Sequence, residues 1–231
     1  MNYIFDVDGT LTPSRSKMDK EFLEFFTNWI ATHNTTLVTG SPKEMTIDQI
    51  GFDLWEKLKV YQCSGNDVYN KGVGIKTNDW KLTNEANLFL LDRLHGSLYS
   101  VRTGNHFDHR PGLCNFSVVG RGAGPYQRQD YVWYDEMTNE RKAIADEFNY
   151  RFKGHIQATV AGDTGLDITP VGCGKAQILP DFEGEIVFFG DKTALGGNDH
   201  DIAVAVSSRP QSVVHAVKSW ENTYEVLKGI V

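Results

Sequence analysis

Near its start the chain runs Tyr3-Ile4-Phe5-Asp6-Val7-Asp8-Gly9-Thr10-Leu11-Thr12, a short apolar stretch that stops at two carboxylates one residue apart. Such a run reads as a buried strand. Buried strands of α/β proteins deliver their last residues to the C-terminal edge of the sheet, where ligands bind. Two acids at that edge can hold Mg²⁺ while one attacks phosphorus and the other handles protons. Taken alone, the same letters also fit a strand followed by an acidic turn, because Asp and Gly are ordinary turn residues. The rest of the chain has to decide between them.

Asp19 can cap a helix that carries Phe22, Leu23, Phe25, Phe26, Trp29 and Ile30 at helical spacing, and these aromatics read as core. Thr35–Val38 is a second short strand, ending in Thr39-Gly40-Ser41. Strand, helix and strand in such close succession make a βαβ unit, hence a parallel sheet. Ser41-Pro42 opens another helix with Pro at its first position. Val60–Cys63 reads as a third strand, and the turns at Ser64–Asp67 and Lys71–Gly74 imply a hairpin.

From residue 76 the pattern changes. An amphipathic helix is expected over 82–95, strand-like runs over 97–102, 113–119, 155–160 and 166–169, and one long charged helix over 130–152. Strands and helices without strict alternation indicate an α+β unit on an antiparallel sheet. The earlier pattern then resumes, with a helix from Gly174-Lys175, strands over 185–189 and 202–206, and a closing helix over 211–227. The expected class is α/β: a Rossmann-like core with a parallel sheet (1–75 and 172–231), interrupted by an inserted α+β domain (76–171).

Composition removes several function classes. The net charge of −7, from 23 basic and 30 acidic residues, argues against a nucleic-acid partner, which needs a basic surface. Cys63, Cys114 and Cys173 are odd in number and widely spaced, so they read as free thiols of a reducing compartment. No run approaches the roughly 18 apolar residues of a membrane span. A strand beginning at residue 3 leaves no room for a signal peptide. A cytoplasmic protein with no membrane partner is expected.

Later strand ends carry matching chemistry. Thr39 closes the second strand, Asp191 follows the strand over 185–189, and Lys175 sits in a first helical turn. That is the unfavourable end of the helix dipole for a cation, yet a sensible place for a lysine aimed at a phosphate. Asp6 and Thr39 are 33 residues apart, Thr39 and Lys175 136, and Lys175 and Asp191 16. The middle gap must hold the insertion. This order of acid pair, hydroxyl, lysine and acidic loop resembles the four motifs of the haloacid dehalogenase (HAD) superfamily of phosphotransferases, and the insert resembles its type-2 cap.

Each residue type then has a task. Asp6 is the candidate nucleophile, forming an aspartyl phosphate, and Asp8 the candidate general acid/base. Asp6, Asp191 and the backbone carbonyl of Asp8 can ligate Mg²⁺. Thr39 and Lys175 would bind phosphoryl oxygens. Asp199, in the loop after Asp191, either ligates the metal or holds Lys175.

The resemblance narrows further. Phe188-Phe189-Gly190-Asp191-Lys192-Thr193…Gly196-Gly197-Asn198-Asp199-His200 is very similar to the metal loop of eukaryotic-type phosphomannomutases. Asp6–Thr12 with Arg15 matches that family's first motif, and Arg110–Arg121 with Arg128 follows its substrate segment. Gly162-Asp163…Asp167…Pro170…Gly174-Lys175 continues the order. The resemblance implies isomerisation of mannose 6-phosphate and mannose 1-phosphate through a hexose bisphosphate, with Mg²⁺ as cofactor and hexose 1,6-bisphosphate as activator. In that scheme Arg15, Arg110, Asn115, Arg121 and Arg128 contact substrate phosphates, and Asp167 contacts sugar hydroxyls. A homodimer joined through the caps is also implied, for which the aromatic segment Tyr126–Tyr134 is available.

Three single positions and one tripeptide depart from that family's pattern: Gly165 where Ser is usual, Asp163 where Gln is usual, Val118 in place of Pro, and Ser64-Gly65-Asn66 in place of Glu-Asn-Gly. Two other activities stay open at this point. A sugar-phosphate phosphatase would use the same core, and a catalytically silent binding module would keep the fold alone.

Overall fold

The computed structural model describes residues 1–230. The chain opens with β1 (Asn2–Phe5), α1 (Lys20–Trp29), β2 (Thr35–Val38), α2 (Lys43–Ile50), the single-turn α3 (Phe52–Trp55) and β3 (Lys59–Gln62). α1 begins where the Asp19 carboxylate accepts the Glu21 and Phe22 amides at 2.9 and 3.1 Å. It buries Phe22, Phe26 and Trp29, one stripe of a helix. The hairpin β4 (Asp67–Asn70) and β5 (Val73–Thr77) turns at Lys71-Gly72, with φ of 48° and 79°. Two positive φ values in a row match the twist of the strands that flank a two-residue loop.

The insertion contains α4 (Asn84–Gly96), β6 (Phe107–Arg110), β7 (Leu113–Phe116), α5 (Pro125–Thr138), α6 (Glu140–Arg151), β8 (Ile156–Ala161) and β9 (Gly165–Pro170). The chain returns through a 3₁₀ segment, Lys175–Asp181, then β10 (Ile186–Gly190), α7 (His200–Ser207), β11 (Val213–Ala216) and α8 (Trp220–Lys228).

Two sheets result. The seven-stranded one has the order β11-β10-β1-β2-β3-β4-β5, and the four-stranded one β6-β7-β9-β8. Neighbours from β11 to β3 are parallel, β4 and β5 add an antiparallel margin, and the smaller sheet is antiparallel throughout. Strand alternation sorts the large sheet's apolar side chains between two layers. Tyr3, Phe5, Val187 and Phe189 join Phe22, Phe26, Trp29 and Leu227 on one face, while Ile4, Ile186 and Phe188 join Ile178, Ile202 and Val206 on the other. The insertion has its own core, with Phe89, Phe116, Tyr131, Phe148 and Ile168 among its buried residues. No helix among the described residues is long and apolar enough to cross a membrane.

Several expected elements are corrected. The run 97–102 is not a strand: Arg102 donates to the carbonyls of Leu94, Ser97, Tyr99 and Val101, so this segment wraps its own arginine instead of pairing with a sheet. The fourth strand of the small sheet is β6. The strand expected over 113–119 ends at Phe116. The helix expected over 130–152 is two helices, broken at Asn139, whose φ of 54° is a left-handed conformation that Asn tolerates. Lys175 opens a 3₁₀ segment with Pro180 inside it, and not an α-helix. Residues 202–206 form α7, not a strand, burying Ile202, Ala203 and Val206 on one side. The closing helix is shorter than expected. Val213–Ala216 is instead a strand beside β10, and only Trp220–Lys228 is helical.

Candidate active site

β10, β1 and β2 are adjacent and parallel, so their C-terminal ends meet at one edge, where the chain order reverses between β1 and β10. Asp6 follows β1, its amide extending the ladder to the Phe189 carbonyl at 2.9 Å. Thr39 follows β2 in the same way, bonded to the Tyr61 carbonyl at 2.9 Å. Asp191 follows β10. Carboxylate oxygens of Asp6, Asp191 and Asp199 lie within 4.8 Å of one another. Lys175, 1% exposed, donates its Nζ to Asp6 Oδ1 and Asp199 Oδ1, both at 2.6 Å. Asp199 Oδ2 accepts the Lys192 amide at 3.1 Å. Both oxygens of Asp199 are therefore engaged, one by the lysine and one by the loop that carries Asp191. Of its two expected roles, this geometry favours holding Lys175.

The electrostatics follow from burial. Desolvation pushes the Asp6 carboxyl well above its ordinary range, against the pull of Lys175, with the Asp199 and Asp191 charges adding to the rise. Desolvation and then Asp199 push Asp191 up to about 6. Burial alone would lower Lys175, but Asp199 and Asp6 hold its ammonium above the ordinary value. Three clustered carboxylates face the buried Lys175 ammonium and, at Asp191, the more exposed Lys192 ammonium at 3.4 Å, so the site is short of positive charge. All donors are hard oxygens, which suits Mg²⁺. Gly9 (φ 80°) lets the loop after β1 close over this cluster, since a Cβ there would stand 2.5 Å from Asp191 Oδ2.

Asp8 is held from three sides. Its Oδ1 accepts the Arg15 amide at 2.7 Å and Gln49 Nε2 at 2.9 Å, and its Oδ2 accepts the Ser41 hydroxyl at 3.0 Å. Arg15 presents that amide from a left-handed backbone, φ 52°. Gln49 and Ser41 were not among the candidate residues. Ser41 stands beside Thr39 in the sequence, but nothing marks Gln49 apart from being a polar residue on the buried side of α2. Thr39 Oγ1 accepts the Ser41 amide at 3.0 Å, which leaves its hydroxyl proton free for a ligand.

The small sheet supplies the opposite wall. Its register sets Asp108 opposite Asn115 and Asn115 opposite Asp167 across three strands. Arg110 donates to Asp108 Oδ2 from Nε at 3.0 Å and Nη2 at 2.6 Å, and reaches the Gly40 carbonyl at 2.6 Å. Arg121 donates to Asn115 Oδ1 and contacts Asp108 Oδ2, both at 3.1 Å. Asn115 Nδ2 donates to Asp167 Oδ1 at 2.8 Å. Arg128 pairs with Asp163 Oδ2 at 3.1 Å. Asp108, which links two of the arginines, was absent from the candidate residues. Burial raises Asp167, with Arg110 and then Asn115 pulling it back, and burial lowers Arg121.

Two glycines make this wall possible. A Cβ on Gly165 would lie 2.7 Å from Asn115 Nδ2, so the space a side chain would take there is filled by the Asn115 amide. A Cβ on Gly40 would lie 2.7 Å from Asp167 Oδ2, so glycine lets the insertion seat against the end of β2. Val118, the departure from Pro, packs in the insertion's apolar core. Buried Asn66 ties down both chain crossings. Its Nδ2 donates to the Cys173 carbonyl at 3.1 Å, and its Oδ1 accepts Asn78 Nδ2 at 2.9 Å.

One cavity, with about 540 Å³ of empty space including its mouth, is lined by Asp6, Asp8, Arg15, Thr39, Arg110, Asn115, Arg121, Arg128, Asp167 and Asp191. Lys175 and Asp199 do not line it; they stand next to Asp6, with Lys175 bonded to both carboxylates. All the candidate residues thus converge.

Known proteins share the fold and much of the sequence. The model of the eukaryotic phosphomannomutase family matches residues 25–231. The phosphomannomutase of Galdieria sulphuraria is 33% identical over 232 residues, covering 95% of this chain and 90% of that protein. That of Arabidopsis thaliana is 30% identical over 240 residues, covering 98% and 95%. Among solved structures, an N-terminally truncated, IMP-bound IMP-nucleotidase of Plasmodium falciparum aligns with a TM-score of 0.67 at 15% identity, over 100% of this chain and 68% of that one. A haloacid dehalogenase-like hydrolase of Bacteroides thetaiotaomicron aligns at 0.59 and 15% identity, over 99% and 98%. The structural likenesses establish a HAD-like α/β fold, and the sequence matches go further: the chain belongs to the eukaryotic phosphomannomutase family and is an enzyme of that type.

Proposed function

We propose that the protein interconverts mannose 6-phosphate and mannose 1-phosphate through an aspartyl phosphate on Asp6 and a hexose bisphosphate. The observation that carries this reading is a single cavity lined by Asp6 and Asp8 on one wall and by Arg110, Arg121 and Arg128 on the other. The first wall can exchange a phosphoryl group, and the second can bind a phosphate that does not react, because guanidinium forks match phosphate oxygens in pairs.

In one half, Asp8 removes a proton from the free hydroxyl of the sugar monophosphate, that oxygen attacks the phosphorus carried on Asp6, and the bond to Asp6 breaks, giving the bisphosphate. In the other half, the turned bisphosphate presents its second phosphate, Asp6 attacks that phosphorus, the phosphorus–oxygen bond to the sugar breaks, and Asp8 protonates the departing sugar oxygen. The three hydrogen bonds on Asp8 aim its carboxylate for both transfers. Thr39 binds a phosphoryl oxygen, and Lys175, held by Asp199 and bonded to Asp6, supplies positive charge beside the transferring group. Asp6, Asp191 and the backbone carbonyl of Asp8 would hold Mg²⁺, which when bound offsets the repulsion between a carboxylate and a dianionic phosphate. Residues 76–171 act as the cap, closing to exclude water and opening while the bisphosphate reverses. Hexose 1,6-bisphosphate would prime Asp6.

The test supplies mannose 1-phosphate, Mg²⁺ and a trace of hexose 1,6-bisphosphate, and follows both products. Mannose 6-phosphate is expected to accumulate. Free phosphate without mannose 6-phosphate would replace the mutase reading with a sugar-phosphate phosphatase. The same proposal includes a homodimer through the caps, supported by Tyr126, Trp133 and Met137, which stand exposed along α5. Sedimentation of Trp133→Glu against the unmodified chain tests it, and an unchanged dimer would move the contact elsewhere.

A further inference from the structure

Each arginine of the cap wall already has a carboxylate partner. Arg110 and Arg121 share Asp108, which does not line the cavity, whereas Arg128 is paired with Asp163, which does. Asp163 follows Gly162 (φ 53°) in the turn between β8 and β9, with 37% of its side chain exposed. Arg128 is its one side-chain partner among the described residues, at 3.1 Å, while the other arm of Arg128 points to Thr164 Oγ1 at 3.4 Å. A carboxylate on the wall of an anion site opposes the ligand. A phosphate arriving at Arg128 must displace Asp163 or sit beside it, and in both cases meets a guanidinium whose charge is already partly answered.

We propose that Asp163 is a specificity-determining residue that keeps the cap's grip on a second phosphate weak enough for the hexose bisphosphate to let go, turn and rebind. The inference rests on the reading of the cavity as a sugar-bisphosphate site. An intermediate bound too tightly would lower turnover, because binding shared by the intermediate and the transition state does not accelerate the reaction. Asp163 therefore exchanges affinity for release. It acts on the distal phosphate only, and takes no part in phosphoryl transfer at Asp6.

The experiment is Asp163→Asn, which removes the charge, keeps the size and leaves an oxygen for Arg128. Calorimetry with hexose 1,6-bisphosphate and isomerisation kinetics with mannose 1-phosphate are run at low and high salt. The variant is expected to bind the bisphosphate about tenfold more tightly at low salt, with the gain shrinking at high salt as charges are screened. KM and kcat should fall together, because release slows. A damaged turn would not tighten a ligand, which separates this role from a structural one. Asp163→Glu keeps the charge and should stay within about threefold of the unmodified protein. Equal or weaker bisphosphate binding by Asp163→Asn overturns the inference while leaving the bisphosphate reading intact. Absence of bisphosphate binding by the unmodified protein removes that reading, and this inference with it.

Discussion

Replacing Lys175 by Met tests the electrostatic account of the site most directly. The lysine is 1% exposed and bonded to Asp6 and Asp199 at 2.6 Å each, so its removal strands two buried carboxylates. Removing one partner of a buried ion pair costs about 3–5 kcal/mol. For a chain of this size each kcal/mol moves the melting temperature by about 2–4 °C, so a drop of roughly 10 °C is expected at pH 8 in chelator. The pH dependence has a definite sign. Without the lysine, the Asp6 carboxyl, already raised by burial, rises further above its unfolded value of about 3.9. The folded protein then holds the proton more tightly than the unfolded one, so stability is kept at low pH and lost as pH rises through the folded value. The deficit of Lys175→Met should therefore be smaller at pH 5 than at pH 8. Adding Asp199→Asn removes one of the stranded charges and should return part of the loss at pH 8. The assay is thermal and urea unfolding of both variants at the two pH values. Equal stability of Lys175→Met and the unmodified protein at pH 8, or a larger deficit at pH 5, would refute the argument.

Three further outcomes can be checked at modest effort. Asp6→Asn should abolish turnover while shifting the melting temperature by only a few degrees, because it removes the proposed nucleophile's charge without changing its size. Substantial residual activity would place the nucleophile elsewhere. Asp191 sits at about 6, so Mg²⁺ must compete with a proton below that pH. Calorimetric titration should show Mg²⁺ affinity falling by up to about tenfold per unit as pH drops below 6, and a flat profile would remove Asp191 from the ligand set. Gly9→Ala forces a Cβ to 2.5 Å from Asp191 Oδ2 at a φ of 80°, so a loss of about 1–2 kcal/mol and a raised Mg²⁺ requirement are expected. Unchanged Mg²⁺ dependence of turnover would contradict that contact.

The site was more legible in the sequence than parts of the fold. Asp6, Thr39 and Asp191 each follow an apolar strand, and parallel neighbours bring such ends together whatever the detail of the helices between them. Ile202–Val206 is a short apolar run without a distinguishing period, and what decides its helical form is the packing of Ile202, Ala203 and Val206 against the large sheet, a long-range fact. Val213–Ala216 is a strand because β10 offers it an edge, which no local pattern records. The break at Asn139 turns on one residue's tolerance of a left-handed backbone. Asp108, Ser41 and Gln49 share a different reason for being missed. They act through other residues, and a polar side chain that braces a neighbour leaves the same trace in a sequence as one that faces water.

The Val160 amide bonds the Gly196 carbonyl at 2.9 Å, so the outer strand of the small sheet, β8, is completed by the loop that follows Asp191. In the proposed opening of the cap, that bond would break and a strand margin would be bared to solvent, and bare margins recruit other chains. Each such opening would then carry a brief risk of self-association, greatest for a protein starved of substrate. Solubility on storage should accordingly rise with any ligand that keeps the cap shut, quite apart from its effect on unfolding.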